Sequence, residues 1–293
     1  MSGGCAGKLP PWIRIRVRPG GGRDEVDGLL ARLGLNTVCA GAQCPNRAEC
    51  YHHRTATFMI MGNACTRNCK FCAIEHTDHP APLDPEEPAK IAEAVRRLGL
   101  RYAVITCVTR DDLPDGGAAH FAETIRRISA LPGEVRTEVL TSDLKGDVEA
   151  LRTVLEARPA VFNHNVETVE RLSAEIRSVA TYRRTLEVLR NAARLGDGIP
   201  VKSGLMVGLG ESDAEVEATM RDLREAGVTL LTIGQYLAPG PEHPPVDRFV
   251  EPEKFESWKR LGLEMGFAGV AAGPLVRSSY EAGKLFESAG KMH

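Results

Sequence analysis

From Thr57 onward the chain alternates short β-rich runs with stretches of helical apolar spacing, and that alternation commits it to an architecture built around a parallel sheet. The strand-like runs are Thr57 to Met61, Tyr102 to Val108, Val135 to Leu140, Ala160 to Val166, Val201 to Val207, Thr229 to Tyr236 and Gly266 to Ala272. Between them lie helical patterns over Pro88 to Leu98, Ala118 to Leu131, Asp147 to Ala157, Glu167 to Arg177, Arg183 to Leu195, Ala214 to Ala226 and Glu253 to Met265. Six or seven parallel strands predict an α/β fold, a partial or complete (β/α) barrel with N- and C-terminal extensions; a doubly wound open sheet shares the same crossovers and stands as the alternative. A length of 293 residues suits one barrel so extended. In either architecture chemistry collects at the carboxyl ends of the strands. The unusual residues fall there: Cys65 to Cys72, Arg110-Asp111-Asp112, Asn163-His164-Asn165, Gly208 to Glu211 and Arg277 to Tyr280.

With 37 basic and 39 acidic residues the net charge is −2, which gives no reason to expect nucleic acid as a partner. Met1 to Gly22 has no apolar signal segment, and no stretch has the roughly 18 uninterrupted apolar residues of a membrane span. The chain therefore reads as unexported and cytoplasmic. The arginine-rich opening raises an organellar matrix as the alternative, although its Pro and Gly content argues against an amphipathic transit helix.

Eight cysteines in an unexported chain point to metal binding more than to disulfides, because the cytosol keeps thiols reduced. Six of them form two arrays, Cys39/Cys44/Cys50 and Cys65/Cys69/Cys72. Cys65-Thr-Arg-Asn-Cys69-Lys-Phe-Cys72 directly follows an apolar strand, and its three thiolates can hold three irons of a cubane cluster while leaving the fourth iron open. An amine and a carboxylate on one small molecule, as in the methionyl end of S-adenosylmethionine (SAM), can chelate that iron. A zinc knot completed by His76 or His79 is the competing reading, and for the upstream array a zinc site completed by His52 or His53.

The combination NTVC with CPNRAEC, TATFMIMGNACTRNCKFC, TRDDLPDGGAAHF, VFNHNVETVERL, KSGLMVGLGE, TIGQYLAP and GPLVRSSY resembles the lipoyl synthase family of the radical SAM superfamily from about Asn36 to Tyr280. The resemblance implies two 4Fe-4S clusters. Cys65, Cys69 and Cys72 would hold the one that binds SAM; Cys39, Cys44, Cys50 and the oxygen of Ser279 would hold an auxiliary one that is consumed as sulfur donor. It implies SAM contacts from Phe71, Asn165, Glu167, Gly204, Gly208 and Glu211, and a radical reaction that inserts two sulfurs, at C6 and C8, into an octanoyl group on a lysine. The implied partners are an octanoylated lipoyl carrier protein or domain, a low-potential electron donor and a cluster-repair protein. On this reading residues 1–54 are an extension carrying the auxiliary cysteines, 55–273 the barrel, and 274–293 a segment supplying the serine.

Each motif also has a plainer reading. Ser278-Ser-Tyr-Glu281 fits a capping box with Ser278 as the cap, Glu167 fits a helix start, Arg110, Asp111 and Asp112 fit an ion-paired loop as well as the positioning of cofactor or substrate, and Arg277 fits a residue that stabilises the last turn of structure. Cys107 stands where the family usually has serine and reads as a packed core thiol. Tyr51 and Arg54 replace an expected Trp and Gly, and Thr141-Ser142-Asp143 lacks an expected proline; none of these is expected to touch a ligand. Another sulfur-inserting or methylthiolating radical SAM enzyme would share Cys65 to Cys72 but need a different auxiliary set. A zinc or iron-sulfur binding or electron-transfer module is the alternative outside enzymes.

Overall fold

The computed structural model describes residues 9–14, 22–53, 55–177 and 179–290; Cys5, Arg54, residues 291–293 and most of the Met1 to Gly22 opening lie outside them. Seven parallel strands run in simple chain order: β1 (Thr57–Ile60), β2 (Tyr102–Cys107), β3 (Arg136–Leu140), β4 (Val161–Asn163), β5 (Val201–Val207), β6 (Leu230–Gln235) and β7 (Gly269–Gly273). A doubly wound sheet reverses strand order at its middle. The uninterrupted order here, with helices between the strands, makes the sheet a partial (β/α) barrel. Its outer edge beside β1 is closed by Asn36–Thr37, which pairs antiparallel with Phe58 and Met59.

Local signals explain where the helices fall. Helix α1 (Glu87–Leu98) ends at Gly99, whose φ of 66° a β-carbon would penalise. Helices α2 (Ala118–Ser129) and α3 (Val148–Glu156) follow, the second capped by Asp147, whose carboxylate accepts from the backbone N–H groups of Glu149 and Ala150. After α4 (Glu170–Ile176) and α5 (Tyr182–Leu195), α6 (Asp213–Glu225) opens with a reciprocal Ser212/Glu215 capping box, and α7 (Pro252–Glu264) completes the wall.

Two expected boundaries shift for a physical reason. β4 stops at Asn163 and α4 starts at Glu170, because Glu167 takes a left-handed conformation (φ 67°) and docks on β5. Its N–H donates to the Gly204 carbonyl at 3.0 Å and its own carbonyl accepts from Met206 at 2.8 Å.

The described segments before and after the barrel are packed onto it. Val26, Leu29 and Leu30 of the helix Gly22–Leu33, together with Tyr51, share one core with the strands. The last helix, α8 (Ala282–Gly290), sets Leu285, Phe286 and Ala289 against Val161 and Leu230, the first residues of β4 and β6, so it closes the amino end of the barrel. Residues 274–281 therefore connect the carboxyl end of β7 to the opposite end of the sheet. Among the described residues no helix is long and apolar enough to cross a membrane.

Candidate active site

A cavity of about 1260 Å³ opens among the carboxyl ends of the strands and the two chain extensions. Its lining includes Cys39 and Cys44 from the first array, all of Cys65, Cys69 and Cys72 from the second, and Ser279 from the C-terminal segment. The expected SAM contacts Phe71, Asn165 and Glu167 line the same space.

The 65–72 loop is held by its neighbours. Thr66 donates through both its N–H and its hydroxyl to the Thr109 carbonyl at 3.0 Å, and Lys70 N–H donates to Ile176 at the end of α4 at 2.9 Å. The N–H groups of Thr109 (3.2 Å) and Arg67 (3.4 Å) point at the Cys65 sulfur. Arg67 is almost wholly buried. Its guanidinium grips both oxygens of Asp111 at 2.6 and 2.8 Å and also reaches Asp143 at 2.7 Å. Burial alone would raise Asp143, but the Arg67 hydrogen bond and charge outweigh it and hold the carboxyl at about 2. Thr141-Ser142-Asp143 lines the cavity and bears on the cysteine loop through Arg67, which is not one of the proposed ligands. Arg110 and Asp112 pair with each other, as a loop ion pair would.

The upstream array is folded by two short helices, Val38–Gly41 and Arg47–His52, with Cys44 in the turn between them. Thr37 caps the first and shares a 2.7 Å hydrogen bond with the hydroxyl of buried Tyr51, so the tyrosine at that position is fully accommodated. Cys50 packs behind the cavity wall, and the three thiols of this array repel one another's negative charge. The C-terminal segment is pinned against this array on both sides of Ser279: Asn46 donates to the Leu275 carbonyl at 2.7 Å, and the Tyr280 hydroxyl donates to Glu49 at 3.4 Å. Arg277 lines the cavity and donates to the Val276 carbonyl at 2.7 Å; burial lowers its pKa while the Cys44 thiolate opposes that shift.

A zinc ion draws its ligands to about 2.3 Å, and among the described residues no three His, Cys, Asp or Glu side chains converge in that way. His76 faces the Cys65 carbonyl and Asp78, His79 is exposed, and the exposed rings of His52 and His53 pack on each other. Burial pushes the Cys39 thiol up, Cys50 to about 12 and Cys72 to about 11, so metal must displace their protons to bind. Cys107 packs against the core as expected and also lines the cavity; burial pushes its thiol up to about 12.

Three other residues expected at the SAM site, Gly204, Gly208 and Glu211, lie outside the lining. A β-carbon on Gly204 would lie 2.5 Å from Thr232 Oγ1 and 3.0 Å from Asn165 Oδ1, so the glycine leaves room for the asparagine. Gly208 has φ 102°, and the Glu211 carboxylate accepts from its N–H at 2.6 Å and from Leu209 at 2.9 Å. Glu211 therefore staples this turn. Burial raises the pKa of Glu167, opposed by the charge of Arg177 and a hydrogen bond from Asn165.

Ser278 does not cap α8, which begins at Ala282. Its hydroxyl instead donates to Asn165 Oδ1 at 2.9 Å and accepts from Asn163 Nδ2 at 2.8 Å. Behind Asn163 lies a buried ion pair, Lys202 with Glu138 at 2.8 Å, joined by the Tyr102 hydroxyl at 2.7 Å. Sequence reading missed this pair, although a charge in the middle of one strand run and near the start of another, Glu138 in Arg136–Leu140 and Lys202 in Val201–Val207, was the signal. Arg67, inside the cysteine array, carried no such mark.

Comparison with known proteins agrees with this geometry. Residues 59–223 match the radical SAM superfamily. The fold is shared with methylornithine synthase (TM-score 0.57, 16% identity, 92% of this chain and 80% of that one) and with the hydrogenase maturase HydG (TM-score 0.58, 16% identity, 79% and 54%). Fold and superfamily match together define a radical SAM enzyme, a class that implies a 4Fe-4S cluster and SAM. The lipoyl synthase of Rubrobacter xylanophilus is 55% identical over 280 residues, 96% of this chain and 87% of that protein. That of Caldanaerobacter subterraneus is 54% identical over 275 residues, 94% and 96%. The chain belongs to the lipoyl synthase family.

Proposed function

We propose that the protein inserts two sulfur atoms, at C6 and C8, into an octanoyl group carried on a lysine of a lipoyl carrier protein or domain. The observation that supports this reading is the meeting of Cys39 and Cys44 of the first array, all three cysteines of the second and Ser279 around one cavity in a member of the lipoyl synthase family. On this reading residues 55–273 form the catalytic barrel, and 1–54 and 274–293 are the extensions that bring in the second ligand set.

Cys65, Cys69 and Cys72 would hold the cluster that binds SAM, and Cys39, Cys44, Cys50 and Ser279 a second one. When bound, these groups supply a deoxyadenosyl radical able to abstract hydrogen from an unactivated carbon, and the sulfur to replace it. Ser279 would offer a hard oxygen where the other ligands are soft thiolates, and so would be the ligand held least firmly. Asn165 and the desolvated Glu167 can hydrogen-bond the ribose hydroxyls of SAM, with Phe71 beside them. Leu237, Pro239, Val246 and Phe249 add to the lining an apolar surface that fits an aliphatic chain and keeps water away. A low-potential donor and a cluster-repair protein are the further partners this chemistry requires.

Anaerobic incubation of reconstituted protein with an octanoyl-lysine peptide, SAM and a strong reductant should give, by mass spectrometry, a peptide with two sulfurs in place of two hydrogens. Deoxyadenosine with an unchanged peptide would reject the substrate while leaving the superfamily chemistry intact. Full product from Cys44→Ala or Ser279→Ala would end the sulfur-donor role of the second set.

A further inference from the structure

We propose that Ser278 is a positioning residue: it fixes the amide of Asn165 in the orientation that presents N–H donors to the ribose of SAM. The inference rests on the reading of Asn165 as a SAM contact.

The reasoning starts at the buried Glu138. Its carboxylate is held by Lys202 at 2.8 Å and by Tyr102 at 2.7 Å, and neither charged side chain of the pair is more than 1% exposed. The side-chain amide of Asn163 lies beside this carboxylate and must turn its nitrogen toward it, at 3.1 Å, since the reverse orientation would set oxygen against oxygen. That leaves the second hydrogen of the same nitrogen for Ser278 Oγ at 2.8 Å, while Asn163 Oδ1 stays buried with no hydrogen-bond partner among the described residues. Ser278 must then accept from Asn163, so its single hydrogen is free to donate, and it goes to Asn165 Oδ1 at 2.9 Å. With its oxygen committed to Ser278, Asn165 is left with its nitrogen for the cavity, whose lining it shares with Glu167. A buried charge thus sets the sense of every donor in the chain from Glu138 to the cavity. Gly204, whose missing β-carbon would approach Asn165 Oδ1 to 3.0 Å, gives the amide space to take this orientation.

The backbone around Ser278 is tied independently by the Asn46–Leu275 and Tyr280–Glu49 hydrogen bonds. Removing the Ser278 hydroxyl should therefore disturb Asn165 without releasing Ser279. The test is SAM binding by equilibrium dialysis to the full-length protein after anaerobic cluster reconstitution, with iron and sulfide measured on the same samples.

Ser278→Ala should raise the SAM dissociation constant about tenfold, the range for unpairing one buried group, at unchanged iron and sulfide. Ser278→Thr, which keeps the hydroxyl, should restore most of the affinity. Asn163→Leu should also weaken binding, and adding it to Ser278→Ala should cost nothing further, because both cut one chain; a purely structural contribution from each would add. Unaltered affinity in Ser278→Ala, or additive losses in the double variant, overturns the proposal while leaving Asn165 as a contact. If Asn165→Ala itself binds SAM normally, the underlying reading and this proposal fall together.

Discussion

Replacing Arg67 by methionine keeps most of the side-chain stem and removes the charge that ties the 65–72 loop to Asp111 and Asp143. Asp143 has a fully buried side chain, and its value of about 2 lies below the ordinary 3.8 because the Arg67 interactions outweigh burial. A depression of that size corresponds to about 2 kcal/mol of stability at pH 7. Arg184, at 3.2 Å from the other Asp143 oxygen, retains part of this, but the bidentate grip on Asp111 is lost as well. The expected cost is about 3 kcal/mol, the lower end for breaking a buried pair. The sign with pH follows from a folded value below the unfolded one: the Asp143 contribution is complete above roughly pH 5, about half gone at pH 3, and lost as pH falls through about 2. Urea denaturation of cluster-free protein under reducing conditions, followed by circular dichroism at pH 7 and pH 3, should therefore show a gap between the two proteins that narrows markedly at the lower pH. A loss under about 1 kcal/mol at pH 7, or the same loss at both pH values, would refute the assignment of the network to charge pairing.

Three further outcomes are expected. Gly208→Ala should be more damaging than Gly204→Ala in the same denaturation assay: at Gly208 a β-carbon meets Gln235 Nε2 at 2.2 Å and the Arg248 carbonyl at 2.5 Å on a backbone of φ 102°, whereas Gly204 faces only side-chain atoms and costs about 1–3 kcal/mol. Lys202→Met should destabilise by about 3–5 kcal/mol by leaving Glu138 buried without its cation, and Lys202→Met/Glu138→Gln should be the more stable protein of the two. Because burial raises Cys39, Cys50 and Cys72, loading apo protein with iron and sulfide should release protons to a pH-stat and proceed further at pH 9 than at pH 7. Loading independent of pH would mean that the thiols are already ionised.

The alternation of apolar runs, the strand ends and the two cysteine spacings depend on residues close together in the chain, and they could be read from the sequence alone. Each strand appears within a few residues of its expected place, and the array Cys65 to Cys72 follows its strand as its spacing requires. The choice between barrel and open sheet could not be read in this way, because both are built from the same βα unit. It is decided by which strands pair, and those contacts join residues tens of positions apart. The same limit applies inside the site. Spacing suggests that Glu167 opens a helix and that Ser278 caps one; the tertiary fold instead lays Glu167 on β5 and carries Ser278 to Asn163 and Asn165, over a hundred positions away. A cap needs only its own next turn, but a buried hydroxyl must find a partner wherever packing leaves one. Local chemistry thus determined which residues could act, and long-range packing decided which of them face one another.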